Sequence, residues 1–182
     1  MSTSTLMTAN ELARLPKDGF RYELVRGELH QMSPAGFEHC EIASIIDGHL
    51  RQFVRQQKLG TVVSGDPGFK LESNPDTVRA PDVAYVSHER LQRITDRRAF
   101  ADIAPDLAIE VLSPGDSPAK LATKSEAWLR AGTLAVVVVN PRRRMATVYL
   151  PGGTSIEFTA ADVLEVPSVL PGWKMPIIEM FE

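Results

Sequence analysis

Apolar residues recur at three- and four-residue intervals between Phe37 and Leu59. Ile42, Ile45, Ile46, Leu50, Phe53 and Val54 fall on one stripe. That spacing predicts an amphipathic helix over 37–59, with Gly60 capping its C-terminus. A second helix is predicted over 117–131, with Ser117 as N-cap, Pro118 in the first helical position and Gly132 as the stop. Leu134 to Val139 is instead a continuous apolar, valine-rich run, the pattern of a strand covered on both faces. Shorter segments predict further strands at 21–25 and 28–32, joined at Arg26-Gly27, and at 61–64, 69–72, 79–86 and 107–112. A last hairpin is predicted at 145–150 and 154–158 around Pro151-Gly152-Gly153. Thr8 to Glu11 has capping-box spacing, so a short helix to about Leu15 should precede Pro16 and Gly19. The charged segment 87–105 reads as irregular, with a short helix.

The order strand 107–112, helix 117–131, strand 134–139 implies two parallel strands with a crossover helix. The remaining strands read as hairpins. The expected class is therefore α/β with a mixed, α+β-like sheet, helices on the sheet faces and flanking β-hairpins. A length of 182 residues, without repeats or a dividing linker, predicts one domain over 1–182.

The formal net charge of −3 argues against a protein that coats nucleic acid throughout, but leaves room for a local basic patch. Cys40 is the single cysteine, which fits a reducing compartment. The Ser/Thr-rich start lacks the basic and apolar regions of a signal peptide. No apolar run approaches the ~20 residues of a membrane helix. A cytosolic protein with no membrane partner is expected.

Two acids stand inside apolar strands: Asp82 in Ala80-Pro81-Asp82-Val83-Ala84, and Glu110 in Leu107-Ala108-Ile109-Glu110-Val111. A carboxylate in a central strand is costly unless it is paired or bound to metal. On neighbouring strands the two could share one hard cation, with Mg²⁺ (or Mn²⁺) the natural choice. The alternative is that each acid pairs with a buried Arg or Lys. Lys124 bears on both readings, because Leu121 and Trp128 at i−3 and i+4 share its helix face and aim it at the sheet.

Pro81-Asp82, Glu110-Val111-Leu112-Ser113-Pro114 and Lys124, in that order, resemble the Uma-two family of restriction endonucleases within the PD-(D/E)XK nuclease superfamily. The similarity begins at Tyr22-Glu23-Leu24-Val25-Arg26-Gly27-Glu28-Leu29, passes through His39, and continues to Val138-Val139-Asn140-Pro141 and Val148-Tyr149. It implies a restriction-endonuclease-like core and a metal-dependent cut in DNA. Asp82 and Glu110 would bind the metal, and Lys124 would complete the catalytic set. Glu23 and His39 would support it. Analogy with nucleases that cut both strands implies a homodimer. The chain departs from the pattern at Leu112, where the superfamily has lysine, and at Lys120, Trp128 and Asn140, where an acid, often a tyrosine, and an aspartate are usual. The rival expectations are a nucleic-acid-binding module of the same fold without turnover, and a metal-free ion-pair cluster.

Overall fold

A computed structural model of the chain describes residues 6–16 and 18–182. Its elements in order are α1 (Ala9–Leu12), β1 (Arg21–Val25), β2 (Glu28–Met32), α2 (Phe37–Gln56), β3 (Gly60–Ser64), β4 (Phe69–Glu72), β5 (Thr77–Arg79), β6 (Val83–Ser87), α3 (His88–Leu91), β7 (Leu107–Val111), α4 (Pro118–Arg130), β8 (Ala135–Asn140), β9 (Met145–Leu150), β10 (Thr154–Thr159), β11 (Val163–Glu165) and β12 (Lys174–Pro176). Short 3-10 turns occupy Pro141–Arg143 and Ile177–Phe181.

The central sheet has six strands in the order β10-β9-β8-β7-β6-β3. Only β7 and β8 are parallel, paired from Leu107↔Ala135 to Val111↔Val139, with α4 as the crossover between them. All other neighbours are antiparallel. The expected mixed sheet is therefore present. Side chains alternate across it, as a period of two requires. Val83, Tyr85, Leu107, Ile109, Val137 and Val139 face α2, where Ile42, Ile46, Leu50 and Val54 form the buried stripe. Ala84, Val86, Ala108, Val136 and Val138 face the other way, onto Leu121 and Trp128 of α4. Glu110 shares the parity of Ala108, so it points to the α4 side.

A second sheet, in the order β2-β1-β5-β4, lies beside the first. Leu24 and Val78 pack beneath α1. Thr8 caps α1 in a complete capping box with Glu11, as its spacing requires, although regular helix stops at Leu12.

Three expectations are corrected. Residues 79–86 are not one strand: β5 belongs to the second sheet and β6 to the first, and Ala80-Pro81-Asp82 carries the chain between them. Pro81 has no N–H to give to a ladder, which suits a crossing point better than a strand interior. Helix α2 ends at Gln56, and Lys58, not Gly60, takes the left-handed turn after it (φ 54°). Gly60 instead opens β3 against Ser87, so close that a Cβ would lie 2.2 Å from the Val86 carbonyl oxygen. Leu134 lies outside β8 and is 40% exposed. The pair β11–β12 was not anticipated; each strand has only three residues, too few to show a period.

Candidate active site

The seam between the two sheets opens into a cavity of about 800 Å³, walled by β1, β5, β7, the N-terminal end of α2 and the first two turns of α4. Glu23, His39, Asp82, Glu110 and Lys124 all line it. Each arrives from a different segment.

Glu110 leaves β7 on the α4 side and meets two side chains of that helix. The Lys124 ammonium lies 2.9 Å from Oε2, and the Trp128 indole N–H donates to Oε1 at 2.9 Å. Both partners follow from helical spacing, since Lys124 and Trp128 are four residues apart. Trp128 is fully buried and sits edge-on to Phe69, which holds the indole in place. Lys124 also reaches Glu23 Oε1 at 3.2 Å. Glu23 is only 2% exposed. Its carboxylate accepts from Arg79 at 2.7 Å and from the Ala80 backbone N–H at 3.0 Å.

Asp82 stands one residue before β6. The pairing Val83↔Ile109, carried one step further, brings it level with Glu110. Its Oδ2 accepts the Val111 backbone N–H at 2.7 Å. His39 Nε2 lies 3.0 Å from Oδ1, and an Arg21 guanidinium nitrogen 3.6 Å from the same oxygen. Arg21 also pairs with Asp66. On its far side, His39 Nδ1 lies 3.2 Å from Ser113 Oγ.

The electrostatics follow from these contacts. Burial pushes the Glu110 carboxyl up and Lys124 pulls it down, while Asp82 and Glu23 add repulsion; the balance leaves it raised to about 7. Burial works against the Lys124 ammonium, but Glu110 and Glu23 outweigh it, and the lysine is held above its ordinary value. Burial also opposes ionisation of Glu23 and Asp82. Lys124 and Arg79 overcome it for Glu23, and His39 with the Val111 N–H for Asp82, so both remain below their ordinary values. Asp66 is raised, chiefly by burial.

Sequence reasoning missed Arg21, Arg79, Asp66 and Ser113 as members of this cluster. Arg21 and Arg79 lie on the second sheet, Asp66 is met by Arg21, and Ser113 meets His39 from the β7–α4 loop, so each contact depends on tertiary packing that no local pattern encodes. Among the arginines of segment 87–105, Arg90 is committed to structure. It donates to the carbonyls of Ala104, Pro105 and Gly132 and pairs with Asp106. Lys120 is exposed on the cavity rim. Asn140 does not reach the cluster; its side chain accepts from the Arg143 backbone N–H.

Among the described residues, no group of three or more His, Cys, Asp or Glu side chains is arranged to hold a metal ion. The donor chemistry of Asp82 and Glu110 nevertheless fits a hard divalent cation. Mg²⁺ accepts one or two carboxylates and keeps waters elsewhere, and an ionised carboxylate offers about four lone-pair sites, more than the contacts that Asp82 or Glu110 makes here. Among the described residues, no helix is long and apolar enough to cross a membrane.

Comparison with curated proteins found no match. Among solved structures, the chain is similar to a protein from Anabaena variabilis described as "a putative nuclease belonging to DUF820". The two share 24% identity over 96% of this chain and 97% of the other, with a TM-score of 0.80, a likeness of fold. The mixed sheet with helices on its faces, and the restriction-endonuclease-like architecture that the family resemblance implies, agree with that likeness. Residues 9–178 match the Uma2 family, described as "Putative restriction endonuclease", and the chain belongs to that family.

Proposed function

We propose that this chain is a Mg²⁺- or Mn²⁺-dependent DNA endonuclease that hydrolyses phosphodiester bonds, acting as one domain over 1–182 and as a homodimer. One observation carries the reading: Asp82, Glu110 and Lys124, from three separate elements, line one open cavity, with the lysine ammonium on the Glu110 carboxylate. Asp82 and Glu110 would hold the metal. When bound, the ion would polarise a phosphate oxygen and acidify a water. The protein's own part is positional. The Val111 N–H fixes one Asp82 oxygen, and Trp128 fixes one Glu110 oxygen, so the second oxygen of each is oriented by the remaining contacts. Lys124 lies where it can orient a water or neutralise charge growing on the phosphate. Glu23 and Arg79 set the lysine's position through the Glu23 carboxylate. Exposed Lys120, on the cavity rim, supplies positive charge for phosphate contact.

A second reading has its own observation. Lys124 bridges Glu110 and Glu23, and Arg79 adds to Glu23, which is the pairing that a metal-free ion cluster requires. Calorimetry with Mn²⁺ separates the two, since the cluster alone binds no ion. Cleavage of supercoiled plasmid with Mg²⁺ or Mn²⁺ then separates an endonuclease from a module that only binds nucleic acid.

A further inference from the structure

Asp82 is the end of a hydrogen-bonded chain that starts in the loop after β7. Ser113 Oγ lies 3.2 Å from His39 Nδ1, and His39 Nε2 lies 3.0 Å from Asp82 Oδ1. The three residues come from the β7–α4 loop, the first turn of α2 and the β5–β6 crossing, so no local turn brings them together. His39 is 9% exposed and Asp82 8%. The Ser113 backbone N–H is itself tied to Asp116 at 2.8 Å, which sets the loop.

The direction of the chain follows from its acid end. An ionised carboxylate accepts and does not donate, so Nε2 must carry a proton. In the neutral imidazole Nδ1 is then an acceptor, and the Ser113 hydroxyl donates to it. Such outer partners orient a ligand and fix a ring's tautomer. We infer that Ser113 and His39 are positioning residues: Ser113 holds the His39 ring through Nδ1, and His39, whose Nε2–H is fixed by the carboxylate, sets the oxygen of Asp82 that faces the cation. This rests on the metal-site reading given above. The Val111 N–H already fixes Oδ2, so His39 acts on the one oxygen that the backbone leaves adjustable.

The test is a double-mutant cycle read by Mn²⁺ calorimetry, with ¹⁵N NMR of the His39 ring as a readout that needs no metal. His39→Ala is expected to weaken Mn²⁺ binding ~10–100-fold, the range for loss of an outer partner. His39→Gln, which returns a donor N–H toward Asp82, should recover most of that loss. Ser113→Ala should weaken binding less than His39→Ala does, and should add nothing in the His39→Ala background. Ser113→Thr, which keeps the hydroxyl, should bind as the wild type does. In the metal-free protein, the ring should show the Nε2–H tautomer, and Ser113→Ala should shift the Nδ1 resonance while Nε2–H remains. Additive effects of the two alanine substitutions, or an Nδ1 resonance indifferent to Ser113, would overturn the inference while leaving the metal site intact. A wild type that binds no Mn²⁺ yet keeps the Nε2–H tautomer would overturn the metal-site reading and, with it, this role for the chain of hydrogen bonds. Circular dichroism on each variant separates these outcomes from unfolding.

Discussion

At the scale of single residues, Lys124 and Glu110 set the site's chemistry between them. Lys124→Met keeps most of the volume and removes the charge that two buried acids share. An unpaired buried charge costs about 3–5 kcal/mol. Glu110 already titrates at about 7, so it can take up a proton and soften that cost. The variant is expected to fold, to bind metal, and to lose ~10²-fold or more of the cleavage rate, the low end of general acid–base effects. A variant that cuts at the wild-type rate would remove Lys124 from the mechanism.

Glu110 also makes a pH prediction. Its folded value of about 7 lies above its ordinary 4.5. Between these values the folded chain holds a proton that the unfolded chain has released, so stability falls as pH rises from about 4.5 to about 7. Glu23 and Asp82 have lowered values, so what they contribute is lost only as pH falls below their ordinary range. Lys124 is raised, so its share persists until strongly alkaline pH. Urea titrations across pH 4.5–7 should show a decline in the wild type that Glu110→Gln flattens. Parallel pH curves for the two proteins would contradict the assignment.

At the scale of elements, period and caps marked most of the chain. The stripe of α2, the Ser117 cap and the valine run of β8 each announce themselves within a dozen residues. Asp82 and Glu110 stood out for the same local reason, as acids in apolar surroundings. The break at Ala80-Pro81-Asp82 did not, because an apolar segment looks the same whether it serves one sheet or passes between two. What Glu23 and Arg21 touch is hidden for the same reason: an alternating hairpin strand does not say what covers its polar face. The misplaced cap at Gly60 has a packing cause. That glycine is needed where β3 passes the Val86 carbonyl, not at the helix end. Gly60→Ala is therefore expected to destabilise the chain by about 1–3 kcal/mol, the usual cost of overpacking, as measured by thermal or urea unfolding. A neutral effect would show that the β3–β6 edge can shift.

At the scale of the molecule, the six-stranded sheet supplies Glu110, the crossing just before β6 supplies Asp82, the helix on the sheet's face supplies Lys124, and the second sheet closes the cavity with Glu23 and Arg79. The Ala80-Pro81-Asp82 crossing ties the two sheets together at the site itself. An ion bound there stabilises only the folded chain, by about 2.7 kcal/mol at a hundred times its Kd. The melting temperature should therefore rise with Mn²⁺, and rise more at pH 8 than at pH 5.5, where protonated Glu110 competes. Asp82→Ala should abolish the rise; an equal rise in that variant would place the ion elsewhere.

The most direct test of the central claim is cleavage of supercoiled plasmid by the wild type, Asp82→Ala and Lys124→Met, side by side, with Mg²⁺, with Mn²⁺ and with chelator. The account predicts nicked and linear product from the wild type only when the ion is present, none from Asp82→Ala, and a rate at least ~10²-fold lower from Lys124→Met. Cutting that persists in Asp82→Ala or in chelator, or a wild type that binds plasmid and leaves it intact with either ion, would contradict it.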